Sequence, residues 1–502
     1  MRIGVMVKWG ALAALAINVS FAVAADESGD GCEHCAAGSG CPRAIMAATH
    51  EWHAEQVGLG EHGESVTLGA MDEAPIPTAP AAMPPPAADV TIVHCGALLD
   101  VPGTAPRGNS TLVLQNDRVV RVVDGFIDPP PLAPGTDVRV VDLRDRFVLP
   151  GLIDCHTHIT GQYGGSRMLK GVTATDADAA IMGTVYARRT IMAGFTTVRN
   201  VGSSGDAAFA LRDAIKGGHV PGPRLLVAGE SISPTGGHSD GTLGYRDDIF
   251  AMPGVMLGIA DGPDACRQAV RAQVKRGADV IKLTATGGVL SNTAAGVEQQ
   301  FFADELEAII ATGHQLGRKV AAHAHGSTGI KAALRAGVDS IEHGTYLDDE
   351  CIALFQETGA YLVPTIHAGK FVEEKAAIEG YFPPPVRAKA AAVGPIIQDA
   401  FGRAAAAGVK IAFGTDVGVG AHGTNALEFV YMVEAGMPAA DAIVTATINA
   451  ADLCDRSDEV GTLEPGKFAD LIAVDGDPTQ DVSVLSDVRF VMKGGQVFRS
   501  EG

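Results

Sequence analysis

The chain has 502 residues, 46% of them hydrophobic, and a formal net charge of −21. That length exceeds one small domain and accommodates one large domain with a minor one beside it. The acidic balance, with no cluster of Lys or Arg, argues against nucleic acid or an anionic membrane surface as the partner.

At the N-terminus, Arg2 and Lys8 precede the apolar run 11–24, which closes on Ala22-Val23-Ala24, a small-x-small cleavage pattern. Residues 1–24 are therefore expected to be a signal peptide, and the mature protein to be exported, either periplasmic or secreted. The cleavage point lacks a cysteine, which argues against a lipoprotein anchor, and no later stretch approaches the ~20 uninterrupted apolar residues of a membrane span. Cys32, Cys35 and Cys41 fall in GDGCEHCAAGSGCP. With His34 they could hold a metal, but the CxxC occurs once, and an oxidising compartment favours a disulfide within the segment. The other five cysteines read as small buried hydrophobes. Residues 25–87 end in APIPTAPAAMPPPAA, the composition of an extended Pro-rich linker, and no fold is expected there.

From Val90 the texture changes to short strands split by Gly, Asn, Asp and Pro (TIVHCGALLD, STLVLQNDRVVRVV, TDVRVVDLRDRFVLP), which read as antiparallel β structure. KFADLIAVDGDP and DVRFVMKGGQVFRS repeat the style near the other end. The simplest arrangement is a small β-sandwich built from 88–147 and 466–502, with 148–465 inserted between its halves. The insertion alternates candidate strands at 148–154, 195–200, 224–229, 279–285, 319–325, 338–343, 361–365 and 409–416 with Ala-rich helical patterns such as 264–276, 303–317 and 387–407. Strand followed by helix, eight times over, gives an α/β fold of the (β/α)8 TIM-barrel type, in which chemistry collects at the C-terminal ends of the strands.

Polar residues occupy those ends. FVLPGLIDCHTHI carries His156 and His158 at i and i+2, on one side of a strand and about 7 Å apart, where one metal ion reaches both. Lys282 stands inside VIKL, His323 and His325 end the fifth strand, Glu342-His343 the sixth, and Thr415-Asp416 the eighth. Any one of these has a structural explanation, such as a hydrogen-bonded histidine or a helix-capping aspartate. All of them in register with the strands point to a catalytic metal site. A lysine within an apolar strand loses pKa to desolvation, and its neutral amine can add CO2 to become a carbamate, an anion able to bridge two metal ions. The alternative for Lys282 is snorkelling or pairing with a carboxylate.

With LPGLIDCHTH, VIKLTATGG, VAAHAHG, IEHG, FGTD and NAADLC…VGTLEPGKFADLIAVDGDP in place, the chain from about residue 88 onward resembles the amidohydrolase superfamily. The resemblance is closest to its metal-dependent dipeptidase branch, which includes Xaa-Pro dipeptidases, Xaa-Arg/Lys carboxypeptidases, imidazolonepropionase-like proteins and ochratoxin-cleaving amidases. It implies two divalent ions, zinc foremost, bridged by carboxylated Lys282. His156 and His158 would bind one ion, His323 and His343 the other, and Asp416 would contact the first ion and a bridging hydroxide. Asp416 would take the proton from that hydroxide and pass it to the leaving amine. Which of His323 and His325 ligates metal stays open, with His325 otherwise lining the substrate site. His238 in SPTGGHSD, Tyr163 in GQYGG and His422 in GAHGTN are candidate substrate-binding residues, against the readings of a solvated loop histidine and a helix cap. The resemblance implies a dipeptide or other small-molecule substrate and a homo-oligomer.

Three other readings compete: a hydrolase of other cyclic amides, a mononuclear deaminase and a non-catalytic scaffold. A deaminase wants a glutamate shortly after the fifth-strand histidine, and Ala324, His325, Gly326 and Ser327 follow His323 instead. A scaffold typically loses ligands, and this chain retains all of them.

Overall fold

The computed structural model describes residues 83–86 and 88–501, except 130, 165–170, 247, 292, 294 and 295. The leader, the Cys32/Cys35/Cys41 segment and nearly all of the Pro-rich stretch lie outside the described residues. The described chain opens with four strands, β1 (Val90–Leu98), β2 (Ser110–Gln115), β3 (Arg118–Asp124) and β4 (Val138–Pro150). Strands and helices then alternate: β5 (Leu152–Thr157), α1 (Asp176–Met192), β6 (Phe195–Asn200), α2 (Ala207–Lys216), β7 (Arg224–Val227), α3 (Pro263–Arg276), β8 (Ile281–Thr284) and α4 (Ala303–Gln315). They continue through β9 (Val320–Ala324), α5 (Ser327–Arg335), β10 (Ser340–His343), α6 (Asp349–Thr358), β11 (Tyr361–Val363), α7 (Ile366–Ala376), α8 (Pro384–Ala406) and α9 (Leu427–Glu434). Three late strands, β12 (Leu471–Val474), β13 (Phe490–Lys493) and β14 (Gln496–Ser500), return to the first sheet.

Both terminal segments share one seven-stranded sheet of order β14-β13-β12-β4-β1-β2-β3. Its pairing is not wholly antiparallel as the sequence led us to expect. β1, β2 and β3 form an antiparallel meander, but β4 crosses to the free edge of β1 and runs parallel to it, Val90 opposite Val138. β12 then pairs antiparallel with the far half of β4, Leu471 opposite Pro150, and joins the two chain segments.

The apolar run FVLPGLID is divided between two sheets. β4 ends at Pro150, which has no N–H to continue a ladder, and β5 starts one residue later in a parallel sheet of order β5-β6-β7. Gly151 at the switch donates its N–H to Asp470 O at 2.9 Å. A Cβ there would lie 2.2 Å from Thr196 Oγ1 and 2.5 Å from its Cγ2, so the two strands approach this closely only over a glycine.

The second parallel sheet has the order β11-β10-β9-β8. Backbone bonds link the two: Ile232 donates to Lys282 O at 2.8 Å, and Thr284 donates to Ile232 O at 2.9 Å. The stretch 409–416, expected as a full strand, makes isolated parallel bridges, Ile411 to Leu362 and Val417 to Thr157. At its end Asp416 takes a positive φ of 58°, which no regular strand residue adopts. The fold is thus mixed α/β, with parallel strands that alternate with helices, and no helix of the described residues is long and apolar enough to cross a membrane. Gly151→Ala should lower the free energy of unfolding by about 1–3 kcal/mol in urea titration, because the added methyl overpacks the switch; an unchanged midpoint and slope would contradict the need for glycine there.

Candidate metal centre

Strand ends gather the predicted ligands into two triads. His156, His158 and Asp416 each offer one ligand-type atom within 4.8 Å of the other two, and His323, His325 and His343 do the same. The triads adjoin, with ring centroids of His156 and His343 5.0 Å apart and those of His323 and His343 4.6 Å apart. His325 stacks on His343 at 4.8 Å. All six side chains are buried except the half-buried His158. The i, i+2 spacing of His156 on β5 and His158 just past its end brings both imidazoles to Asp416, whereas His343 and Asp416 reach the site through left-handed backbone, with φ of 76° and 58°. Thr365, which bonds His343, has a φ of 54°. Each such residue costs roughly 1–3 kcal/mol, which the surrounding packing must offset.

Four of the five imidazoles have Nδ1 engaged by an outer partner. His156 Nδ1 lies 2.7 Å from Glu342 Oε2, His158 Nδ1 2.9 Å from Gly202 O, His325 Nδ1 2.7 Å from Thr345 Oγ1 and His343 Nδ1 2.7 Å from Thr365 Oγ1. Each therefore keeps Nε2 available as a donor to metal. His323 is reversed, with Nε2 3.4 Å from Gly287 O, which leaves Nδ1. Asp154 ties the two chain regions of the first triad together. Its carboxylate accepts from His156 N–H, Thr415 N–H, Thr415 Oγ1 and Asn425 Nδ2 at 3.0, 3.2, 2.6 and 2.8 Å.

Burial sets the charge states. Desolvation, with Lys282 nearby, lowers His156 to about 4, and desolvation lowers His325 to about 3. His323 and His343 fall well below the ordinary imidazole value for the same reason. All four are neutral at pH 7, the form that binds a cation. Burial pushes the Asp416 carboxyl up, but His156, His158 and Lys282 outweigh it and hold it below the usual value. Desolvation lowers the Lys282 amine to about 8, and its Nζ is buried with no hydrogen-bond partner. Asp416 Oδ1 lies 3.3 Å from His158 Nε2 and 3.6 Å from His156 Nε2 without an aligned hydrogen bond to either. An orphaned amine and an orphaned carboxylate oxygen among neutral imidazoles form a donor set that fits divalent cations.

Glu342 and Arg199 belong to this centre, and the sequence reading did not assign them a role. Glu342 is fully buried; its Oε1 accepts from Arg199 Nη2 at 2.8 Å and from the Ser340 hydroxyl at 2.6 Å, while its Oε2 lies 2.7 Å from His156 Nδ1. Burial alone would raise this carboxyl, but Arg199, Lys282 and His156 hold it well below the carboxylate range. The available signal was a charge inside each of two buried strand runs, FTTVRN and SIEH. His367, at the start of α7, was also overlooked. It lies near enough to Asp416 to feel its charge, and its Nε2 is 2.9 Å from Thr424 Oγ1.

Of the substrate candidates, His238 stacks on His323 at 4.1 Å. Tyr163 packs against Tyr381 and Phe382 at 6.2 and 5.7 Å, and its N–H donates to Gly418 O. His422 sits deeper: its ring stacks on Tyr186 at 4.6 Å and its Nε2 lies 2.8 Å from Gly161 O, so it braces the loop that carries Tyr163.

A model of the amidohydrolase family matches residues 147–498, and the chain belongs to that family. Within it the chain lies in the dipeptidase-like branch and is a hydrolase of amide or peptide bonds. It is 34% identical to an ochratoxinase of Aspergillus niger over 446 residues, 83% of this chain and 88% of that one. A Xaa-Pro dipeptidase crystallised with methionine in the active site is 46% identical, with a TM-score of 0.78 over 82% of this chain and 100% of that one. A prolidase complexed with N-methylphosphonate-L-proline is 30% identical, with a TM-score of 0.73 over 82% of this chain and all of the other. Arg199→Met strands the buried Glu342 charge and should cost about 3–5 kcal/mol in chemical denaturation; a loss under about 1 kcal/mol would mean that the ion pair does not support β5 and β10.

Proposed function

We propose that the protein is a binuclear metal-dependent amide hydrolase that cleaves dipeptides, of Xaa-Pro or Xaa-Arg/Lys type, or N-acyl amino acids with a free carboxylate. One observation carries this reading: the unpartnered Lys282 Nζ is buried in electrostatic reach of both triads, acting on His156 in one and on His323 and His343 in the other. A lone lysine in such a place is costly, and conversion to a carbamate anion between two cations removes the cost. The amine nitrogen bonds to the carbon of CO2 and a proton leaves to solvent, a step its lowered pKa favours.

On this reading the parallel stretches from β5 to 417 form a (β/α)8 barrel over 148–465, which the bridges at Ile232, Ile411 and Val417 support. The seven-stranded sheet is then the core of a small β-sandwich domain from 88–147 and 466–502. The leader pattern supports export to the periplasm or the exterior after removal of 1–24, and the resemblance supports a homo-oligomer.

His156 and His158 would hold one ion, His323 and His343 the second, and Asp416 would join the first; His325 adjoins both the second ion and the substrate. Bound divalent ions, zinc by the histidine-rich donor set, would lower the pKa of a water and polarise the amide carbonyl. Asp416 accepts the proton as the water attacks and returns it to the leaving nitrogen. His238, held against His323, donates to the carbonyl oxygen of the substrate, and Tyr163 covers the site from the loop after β5. The amino acid in the active site of the methionine-bound relative and the proline derivative in the prolidase support a substrate of this class.

Zinc-loaded protein should hydrolyse at least one of an Xaa-Pro, Xaa-Arg or Xaa-Phe dipeptide and an N-aroyl phenylalanine. Lys282→Ala and Asp416→Asn should each reduce kcat on that substrate by about 10²–10⁴-fold. Absence of turnover across the panel, or variants within threefold (roughly 0.7 kcal/mol) of wild type, would overturn the reading.

A further inference from the structure

Five cysteines fall among the described residues, and all five are buried. Three of them behave as the small hydrophobes that the sequence suggested. The thiols of Cys95, Cys266 and Cys351 each point at a backbone carbonyl, Val93 O, Ala260 O and Ser327 O, at 3.7, 4.0 and 3.7 Å. The other two meet each other. Cys155 Sγ and Cys454 Sγ lie 3.8 Å apart, although 299 positions separate the residues in the chain.

Each thiol is carried on backbone that other bonds hold. Cys155 lies on β5 between Asp154 and His156; its N–H donates to Phe413 O at 2.8 Å, and its carbonyl accepts from Arg199 Nε at 2.6 Å. Cys454 ends the short helix Ile448–Leu453, where its N–H donates to Ala450 O at 3.0 Å. Cys155 Sγ also approaches Ala450 O, at 3.8 Å, so the strand thiol lies against that helix. Both residues belong to one apolar cluster with Ile153, Val363, Ala412 and Leu453. Rotation about the Cα–Cβ bonds, with a small approach of the helix end, brings thiols at this separation to bonding distance.

The two differ in access. Cys155 is sealed from water, whereas Cys454 is 6% exposed and directly precedes the exposed Asp455, which turns the chain with a φ of 53°. Lys319 reaches that turn, donating to Asp452 O at 2.7 Å and pairing with Asp455 at 2.9 Å. The hydrogen bond from Cys155 lowers the Cys454 thiol from its ordinary value; burial opposes this, and the Arg199, Lys319 and Arg456 cations add to it. Cys454 is therefore the thiol that an external reagent meets when the helix end opens, and Cys155 stands behind it as the resolving partner.

We propose that Cys155 and Cys454 are a dithiol that oxidises to an intramolecular disulfide and fastens β5, the strand that carries His156, to the helix Ile448–Leu453. The oxidant is a small disulfide of the glutathione class. The Cys454 sulfur, as its thiolate, bonds to one sulfur of that disulfide; the S–S bond breaks, and the other half leaves as a thiolate that takes up a proton. Cys155 then gives its proton to solvent, its sulfur bonds to Cys454 Sγ, and the second half leaves and is protonated in turn. Two protein thiols thus lose two electrons and two protons, and one small disulfide is reduced to two thiols. An oxidising compartment, which export would provide, holds such acceptors. The site rests on the thiol contact and is independent of the amide-hydrolase reading. A bond between residues 299 positions apart removes much of the freedom of the unfolded chain, so it stabilises the folded one.

The test divides the full chain, purified under reducing conditions, between oxidised and reduced glutathione. Both portions are quenched in acid, denatured, alkylated and digested for peptide mass spectrometry. After oxidation, most chains should yield the Cys155 and Cys454 peptides joined and lighter by two hydrogens, with Cys95, Cys266 and Cys351 alkylated. The reduced portion should give all five alkylated. The oxidised portion should also melt about 3–10 °C above the reduced one. That difference should fall to less than half in Cys155→Ala and in Cys454→Ala, which keep Cys32, Cys35 and Cys41; either variant suffices if the other fails to fold. Recovery of Cys155 and Cys454 as alkylated thiols after oxidation would overturn the proposal. So would a glutathione adduct on Cys454 that goes no further, or a join of either residue to Cys32, Cys35 or Cys41. Melting that oxidation leaves unchanged in wild type, or a rise that the variants retain in full, would overturn it as well.

Discussion

Glu342 holds the site together from beneath. It is fully excluded from water, and it keeps its charge because Arg199 meets one oxygen and His156 meets the other. Without Arg199 the carboxyl would be driven toward its neutral form and would lose its grip on His156 Nδ1. The orientation of the first imidazole of the HxH pair is therefore set by a guanidinium one strand away, on β6, and by a carboxylate on β10. The same logic repeats around the centre, where Asp154 takes four hydrogen bonds and fixes β5 to the turn that presents Asp416.

These supports let the chain concentrate polar groups that would otherwise be unfavourable to bury. Neutral imidazoles, a lysine amine and a carboxylate lie together, nearly all of them buried, and two of the residues involved sit in left-handed backbone. Such an arrangement stores strain and desolvation energy at one end of the parallel strands and depends on the apolar packing of helices and strands elsewhere for its persistence. Cations bound among these groups would relieve much of the electrostatic penalty, so occupancy and stability should be linked.

What was legible in the sequence follows from how local each signal is. The HxH pair could be read because side-chain alternation in a strand is a property of three consecutive residues. The parallel strands and intervening helices carried their own periodicity, and helix α8 starts three residues before the expected 387 because Pro384 suits a first helical turn. Pairing was another matter. The parallel match of β1 with β4 depends on where a long connection crosses, and the division of FVLPGLID between two sheets depends on Thr196, a distant neighbour. Arg199 and Glu342 stood in plain view as charges within apolar strands, but only the cross-strand geometry shows that they serve each other and His156. The 409–416 run has strand composition, but it makes only isolated bridges and ends in the left-handed residue Asp416.

The most direct measurement is the divalent-metal content of the purified, zinc-supplemented protein by inductively coupled plasma mass spectrometry, with Lys282→Ala alongside. The proposed bridging of the two adjoining triads by a modified Lys282 calls for about two ions per wild-type chain and no more than about one in the variant. A wild-type value of one or none, or a content that Lys282→Ala leaves unchanged, would contradict the paired-ion centre.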